Sequence, residues 1–323
     1  MATSVFLTVD TEFAWRHHVE GLTPDEIVRR SFQPAGVGIG WQLRRLAAHR
    51  LKAVFFVDPM PALVFGLDPF RRIVGEILEA GQRVQLHLHP NWAGARAGDG
   101  GASHGGFALS EYDRQAQCDL IGQARELLMA AGAPRPVAFR AGSYAANGST
   151  LDALADLGFL YDSSHNGSDH PDPSAIDLPP RQIAPVAHRG VIEVPVTVIE
   201  DLPGRLRHFQ ICALSAAEMA AALDHAATND HAVVTIVSHG FELANRDGTQ
   251  ANGIHVGRFE SLCGMLEERA DIAPTRWFSE RPDLTLADPS VEGGDEPLAP
   301  SLLRTGLRQV QQLWSNLVEE RAA

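Results

Sequence analysis

Short apolar runs alternate with helical stripes along most of the chain, and this alternation limits the possible folds more than any other feature. SVFLTVD (4–10) reads as a first strand and GIGWQLRRLAAHRL (38–51) as a helix with Trp41, Leu43, Leu46 and Ala47 on one stripe. KAVFFVDP (52–59) reads as a strand buried on both faces, as parallel strands are. PFRRIVGEILEAG (69–81) is a helix closed by Gly81 that feeds the strand RVQLHLH (83–89). A Gly-rich loop (94–106) precedes a long helix over 109–132, opened by Ser110 as N-cap. A strand over 136–142 and a helix over 149–159 follow. GVIEVPVTVI (190–199), a helix over 215–228, the strand AVVTIVSHG (232–240), a helix over 255–269 and TRWFSE (275–280) complete the series. Such alternation implies an α/β fold with a parallel sheet or a closed barrel. The stretches 13–35, 93–108 and 165–190 read as loops that line a pocket.

The chain has 323 residues, enough for one large α/β domain, and its 45% hydrophobic and 21% charged residues suit a soluble globular protein. A formal charge of −13 argues against a nucleic-acid partner, because phosphate binding needs a basic footprint. No run approaches the roughly 18 apolar residues that a membrane helix needs. The start, MATSVFLTVDTEF, does not read as a secretory signal. Cys118, Cys212 and Cys263 are scattered and odd in number, which suits reduced, packed thiols and a cytoplasmic location. Residues 1–287 are expected to form the barrel, 288–300 (DPSVEGGDEPLAP) a linker, and 301–323 an amphipathic helix. Leu303, Leu307, Val310, Trp314 and Leu317 follow one another at spacings of four, three, four and three, which makes one apolar seam. That seam is expected to pack back on its own domain; the alternative is a homodimer contact.

In parallel α/β folds the working groups gather at the carboxyl ends of strands. Asp10 and Glu12 in VDTE share one face of the first strand by alternation, and His87 and His89 do the same in HLHPNW. Arg140 closes the strand over 136–139, Asp162 follows Phe159 in YDSS, and His239 ends the strand over 232–238. Each has an ordinary explanation alone: a turn for Asp10, a satisfied structural role for His239, a surface ion pair for Arg140. Five ionisable strand ends together point to a site, and two imidazoles on one face suit a metal.

The order TVDTE, HLH, FRAGSY, YDSS, SHG resembles the polysaccharide deacetylase family, also called the NodB-homology or carbohydrate esterase family 4 domain, over roughly residues 4–280. The resemblance implies a distorted (β/α) barrel that holds one divalent metal, zinc ahead of cobalt, nickel or manganese. Glu12, His87 and His89 would be the ligands and Asp10 the base, with the roles of Asp10 and Glu12 open to exchange. The family's H-x-x-x-H spacing is absent, since Asn91 stands four residues after His87, so Asn91 and His104 are further ligand candidates. Arg140 would orient the base, the backbone amide near Tyr144 would stabilise the oxyanion, and Asp162 would hold the catalytic His239. The implied reaction is removal of an N-acetyl group from an amino sugar or related small amide, with a small molecule or oligosaccharide as substrate. Hydrolysis of a cyclic or non-sugar amide is one alternative, and a carbohydrate-binding barrel without its metal is another. Trp15 and Trp92 are candidates either to stack on a sugar or to pack in the core.

Overall fold

The computed structural model describes residues 2–288 and 295–315. Strands β1 (Ser4–Thr11), β2 (Val54–Val57), β3 (Arg83–Leu88), β4 (Ala138–Ala141) and β5 (Tyr161–Asp162) follow one another in chain order. β6 (Val186–His188) and β7 (Val191–Glu193) form a hairpin at one edge. β8 (Val198–Leu202) and β9 (Arg205–His208) form a separate hairpin, and β10 (Val233–His239) pairs with β1. The eight-stranded sheet runs β10-β1-β2-β3-β4-β5-β7-β6 and is parallel except at β6.

Irregular backbone spans the gap between β7 and β10. Val194 N–H donates to the Asp162 carbonyl (2.8 Å), Thr197 N–H to Thr235 (3.2 Å) and Ile211 N–H to Val237 (3.2 Å). The run 190–199 is therefore not one strand. Pro195 has no N–H to give a ladder, and the chain leaves the sheet there before β8 begins. The result is a distorted (β/α) barrel, as the alternation and the resemblance imply.

The helices are α1 (Trp15–Val19), α2 (Pro24–Phe32), α3 (Ile39–Ala48), α4 (Ala62–Phe65), α5 (Asp68–Glu79), α6 (Arg114–Ala130), α7 (Gly148–Asp156), α8 (Ala216–Thr228), α9 (Gly253–Glu268) and α10 (Leu302–Trp314). The long helices other than α10 bury apolar residues toward the core, as Phe70, Ile73, Val74 and Ile77 do in α5. All four residues of β2 are buried, so the sheet is covered on both sides there.

Several expected boundaries move. The long helix starts at Arg114, not 109, because Asp113 caps it by accepting from Ala116 N–H (2.9 Å), while Ser110 lies in a short 3₁₀ turn. The stretch 13–35 is not a bare loop. TPDE carries a capping box and Pro24 opens α2, a start signal present in the sequence. TRWFSE contributes one bridge from Thr275 to Val5 and then a 3₁₀ turn in which Phe278 stacks on Phe6 at 4.1 Å.

The described part of the linker lies on the barrel. Ala232 N–H donates to the Asp295 carboxylate (3.0 Å), and Glu200 N–H donates to the Leu298 carbonyl (2.9 Å). The last helix docks opposite to expectation. Its buried residues are Thr305 and Arg308, and Leu303, Leu307, Val310 and Trp314 face solvent, while Leu317 lies outside the described residues. The cause is electrostatic. Asp201 on β8 is a buried carboxylate, and Arg308 pairs with it (2.9 Å) and with Glu218 on α8 (3.0 Å). Arg308 completes a cluster in which Asp201 also pairs with Arg205 and Arg207, and turning the helix over would leave buried Glu218 without its cation.

Candidate metal centre and catalytic cluster

Register brings the expected residues to one end of the barrel. Asp10 on β1 is the partner of His239 on β10, and His87 on β3 is the partner of Arg140 on β4. Partners on parallel strands share a face, and Asp10 is level with Phe56 and Gln85 across β2 and β3, so all four lie on the same side, with His87 and Arg140 two residues further toward the carboxyl ends.

Glu12, His87 and His89 each offer one ligand atom, and these atoms lie within 4.8 Å of one another. The Glu12 carboxylate is 3.0 Å from His87 Nε2 and 2.5 Å from His89 Nε2. His87 Nδ1 donates to the Arg140 carbonyl (2.8 Å), which only accepts. A neutral His87 therefore turns the lone pair of Nε2 toward Glu12, the tautomer that a ligand needs. Electron-pair donors that converge on one point repel one another unless protons or a cation sit between them. One carboxylate and two imidazoles with an open remaining side fit a divalent ion.

Burial alone would raise the Glu12 carboxyl, but His89 and His87 outweigh it and hold it well below the usual range. Burial would likewise lower His89, but Glu12 raises it to about 9. Both shifts report one compact charged cluster. His104 does not join it. Asn91 is buried with its Oδ1 unpaired, and His104 Nδ1 bonds the Gly105 carbonyl (2.6 Å) with its ring against Trp15 and Phe107. Trp92 is core packing among Phe13, Phe65 and Trp15, whereas Trp15 is only half-buried.

Gly142 follows from His89. A Cβ at position 142 would run into the His89 ring. Gly142→Ala should push that ring off the ligand position and weaken metal affinity by about 10–100-fold, as loss of ligand orientation does. A competition titration against a chromophoric chelator measures the change. An unchanged affinity would show that the ring has room to move.

Arg140 is wholly buried and not a surface ion pair. Its Nη1 donates to Asp10 Oδ1 (2.7 Å) and Thr8 Oγ1 (2.7 Å), its Nε to the Ser163 carbonyl (3.0 Å), and its Nη2 to Ser163 Oγ (3.1 Å). Asp10 Oδ2 lies 3.9 Å from His239 Nε2, so the base and acid candidates are close neighbours. Tyr144 follows Ser143 in a turn where both residues have left-handed backbone, at φ 58° and 53°. Its ring packs with Val196 and Val237, and its phenol oxygen is buried without a partner.

The carboxylate beside His239 is not Asp162. Asp162 accepts from Ser164 (2.8 Å) and shares a hydrogen bond with buried Glu193. Burial and the charge of Asp162 push Glu193 well above its usual range. Glu242 stands next to His239 Nδ1 instead (3.4 Å), and Gln210 Nε2 bonds the same Glu242 oxygen (2.8 Å). Burial would lower His239, yet Glu242, followed by Asp10 and Glu12, raises it to about 9. The sequence signal for Glu242 was weak: an acid three residues past the strand-end histidine in SHGFE. Asp58 was missed although it ends β2 in VDP as the other site residues end theirs. It is buried, its Oδ1 accepts from Met60 N–H (3.0 Å), and burial, partly offset by His89 and His87, raises it to about 6.

A distorted (β/α) barrel with a carboxylate and two imidazoles at its strand ends has the NodB-type deacetylase fold. Over 90% of this chain and 95% of the other, it is similar to a "putative polysaccharide deacetylase" from Mycobacterium smegmatis, with a TM-score of 0.51 and 20% identity. It is also similar to the 4-alpha-glucanotransferase from Thermococcus litoralis, with a TM-score of 0.51 and 10% identity over 86% of this chain and 40% of that one. A family 4 carbohydrate esterase from Streptomyces lividans, in complex with acetate, matches at a TM-score of 0.44 and 12% identity over 88% and 97% of the two chains. No protein-family model matches the chain, and no curated protein matches it in sequence. The likeness is one of fold, and barrels of this kind host unrelated reactions, so the chemistry rests on the side chains.

Proposed function

We propose that this protein is a metal-dependent amide hydrolase that removes an N-acetyl group from an amino sugar or a related small amide. The observation that carries this reading is the convergence of Glu12, His87 and His89 beside the Asp10–Arg140 pair and His239. A divalent ion held by those three side chains would polarise the acyl oxygen and lower the pKa of water. Asp10, fixed by Arg140, accepts the proton of the attacking water. His239, kept cationic by Glu242 and Asp10, donates a proton to the departing nitrogen. Asp10 and His239 are register partners, so the two proton transfers occur side by side. The orienting carboxylate in this scheme is Glu242, and Asp162 with Glu193 supports the barrel beneath Arg140.

The full chain, reconstituted with zinc, should release acetate from a panel of N-acetylated sugars. Cleavage of cyclic or non-sugar amides alone would move the substrate to that class. A metal-loaded protein that cleaves neither refutes the hydrolase reading, and a protein that takes up no metal favours the binding barrel.

The charge on His239 gives a pH dependence. Its pKa stands above that of a free imidazole, so the cationic acid is present at neutral pH and is lost as pH rises through about 9. Glu242→Gln removes the largest raising influence and should move the alkaline limb of kcat to lower pH by about 1 unit or more. Glu242→Asp should restore part of it. An alkaline limb that stays in place in Glu242→Gln would remove Glu242 from its orienting role.

A further inference from the structure

The C-terminal helix α10 is held with the wrong side out for a helix that serves only its own domain. Besides the Arg308 pairs, Thr305 Oγ1 donates to the Asp201 carbonyl (2.9 Å) and Arg258 Nη2 to Gln311 Oε1 (3.3 Å). Just past the helix, Asn252 Nδ2 donates to Ser315 Oγ (3.0 Å). On the opposite side Leu302, Leu303, Leu307, Val310, Leu313 and Trp314 are 79%, 75%, 53%, 67%, 61% and 60% exposed. At 3.6 residues per turn they fall on one arc of about 140°.

We propose that this face is a dimer interface, covered by α10 of a second copy of the chain. The area fits. The six side chains present roughly 700 Å² per copy, against the roughly 800 Å² per partner of a standard stable interface. The spacing of four, three and four along Leu303, Leu307, Val310 and Trp314 makes the seam that one helix offers another. Gly306 lies within the arc, and a Cβ there would meet nothing within 4 Å, so a second backbone has room to approach.

The charges select the partner. α10 carries only Arg304 and Arg308, and Arg308 is committed to Asp201 and Glu218. A membrane-surface helix needs a cationic border, whereas this helix has Arg304 alone to spare and the chain carries a net charge of −13. Gln309 and Gln311 flank the seam instead, the latter also accepting from Arg258. Under a two-fold axis residue i meets residue j and j meets i, and neutral amides at such contacts incur no like-charge repulsion. The buried ion pairs fix the helix before association, so little ordering cost remains.

Sedimentation equilibrium of the full chain across the micromolar range should give twice the 34.9 kDa chain mass. Leu307→Asp and Val310→Asp should each weaken association by about 100-fold, the effect of losing a central interface anchor. Both side chains are exposed, so far-UV circular dichroism should stay unchanged, and the urea midpoint should match wild type at concentrations where both are monomeric. A wild-type monomer throughout that range, or a dimer that survives both substitutions, overturns the proposal. So does a monomer that pellets with phosphatidylcholine–phosphatidylglycerol vesicles, which would reassign the face to a lipid surface.

Discussion

Glu12→Gln and His89→Ala should each abolish stoichiometric metal binding and slow amide hydrolysis by about 10³-fold or more. Metal-supplied charge stabilisation amounts to several kcal/mol, and each 1.36 kcal/mol is about tenfold in rate. Glu12 supplies the only carboxylate of the three-residue cluster, and its oxygen lies 2.5 Å from His89 Nε2 and 3.0 Å from His87 Nε2. Glutamine keeps the shape but not the negative charge. Asp10→Asn is the discriminating companion. Asp10 lies outside the cluster and bonds Arg140, so that variant should keep one metal per chain while losing turnover. Elemental analysis and acetate release, measured on the same samples, separate holding the ion from moving the proton. A Glu12→Gln protein that retains one equivalent of metal as tightly as wild type would move the ligand role elsewhere, with Asp58, a buried carboxyl that feels the charge of both histidines, the first to substitute.

The parts of the site that follow from strand periodicity were legible in the sequence. Alternation places Asp10 with Glu12 and His87 with His89 on shared faces, and parallel pairing then sets Asp10 against His239 and His87 against Arg140. The partner of His239 was not legible. Glu242 reaches back to it only because the chain turns after β10, with Gly240 N–H bonded to the Asp10 carbonyl (3.0 Å), and no periodic rule specifies that turn. Asp162 illustrates the converse. Its position at a strand end was read correctly, but its buried neighbour Glu193 comes from β7, and only the folded sheet brings the two together. The last helix marks a further limit. Spacing determines which residues share a face, whereas the face that docks depends on Asp201 and Glu218, each about a hundred residues away or less along the chain.

Arg140→Met should lower the unfolding free energy by about 3–5 kcal/mol, the cost of breaking one side of a buried ion pair. The guanidinium is wholly buried, lies 4.5 Å from the centre of the Phe56 ring, and donates to Asp10, Thr8 and Ser163. Methionine preserves much of the stem and its contact with the ring but leaves the Asp10 carboxylate without its cation. Ser163 also loses the donor to its carbonyl. Arg140→Lys should recover little, because an ammonium has no planar fork to reach Asp10 and Ser163 from one position. Pairing Arg140→Met with Asp10→Asn removes both charges, so the double variant should be more stable than the sum of the single losses by about 1–3 kcal/mol. Urea unfolding of the four proteins closes this cycle. A single-variant loss below about 1 kcal/mol, or strictly additive losses, would mean that water reaches this end of the barrel and solvates Asp10 in the guanidinium's place.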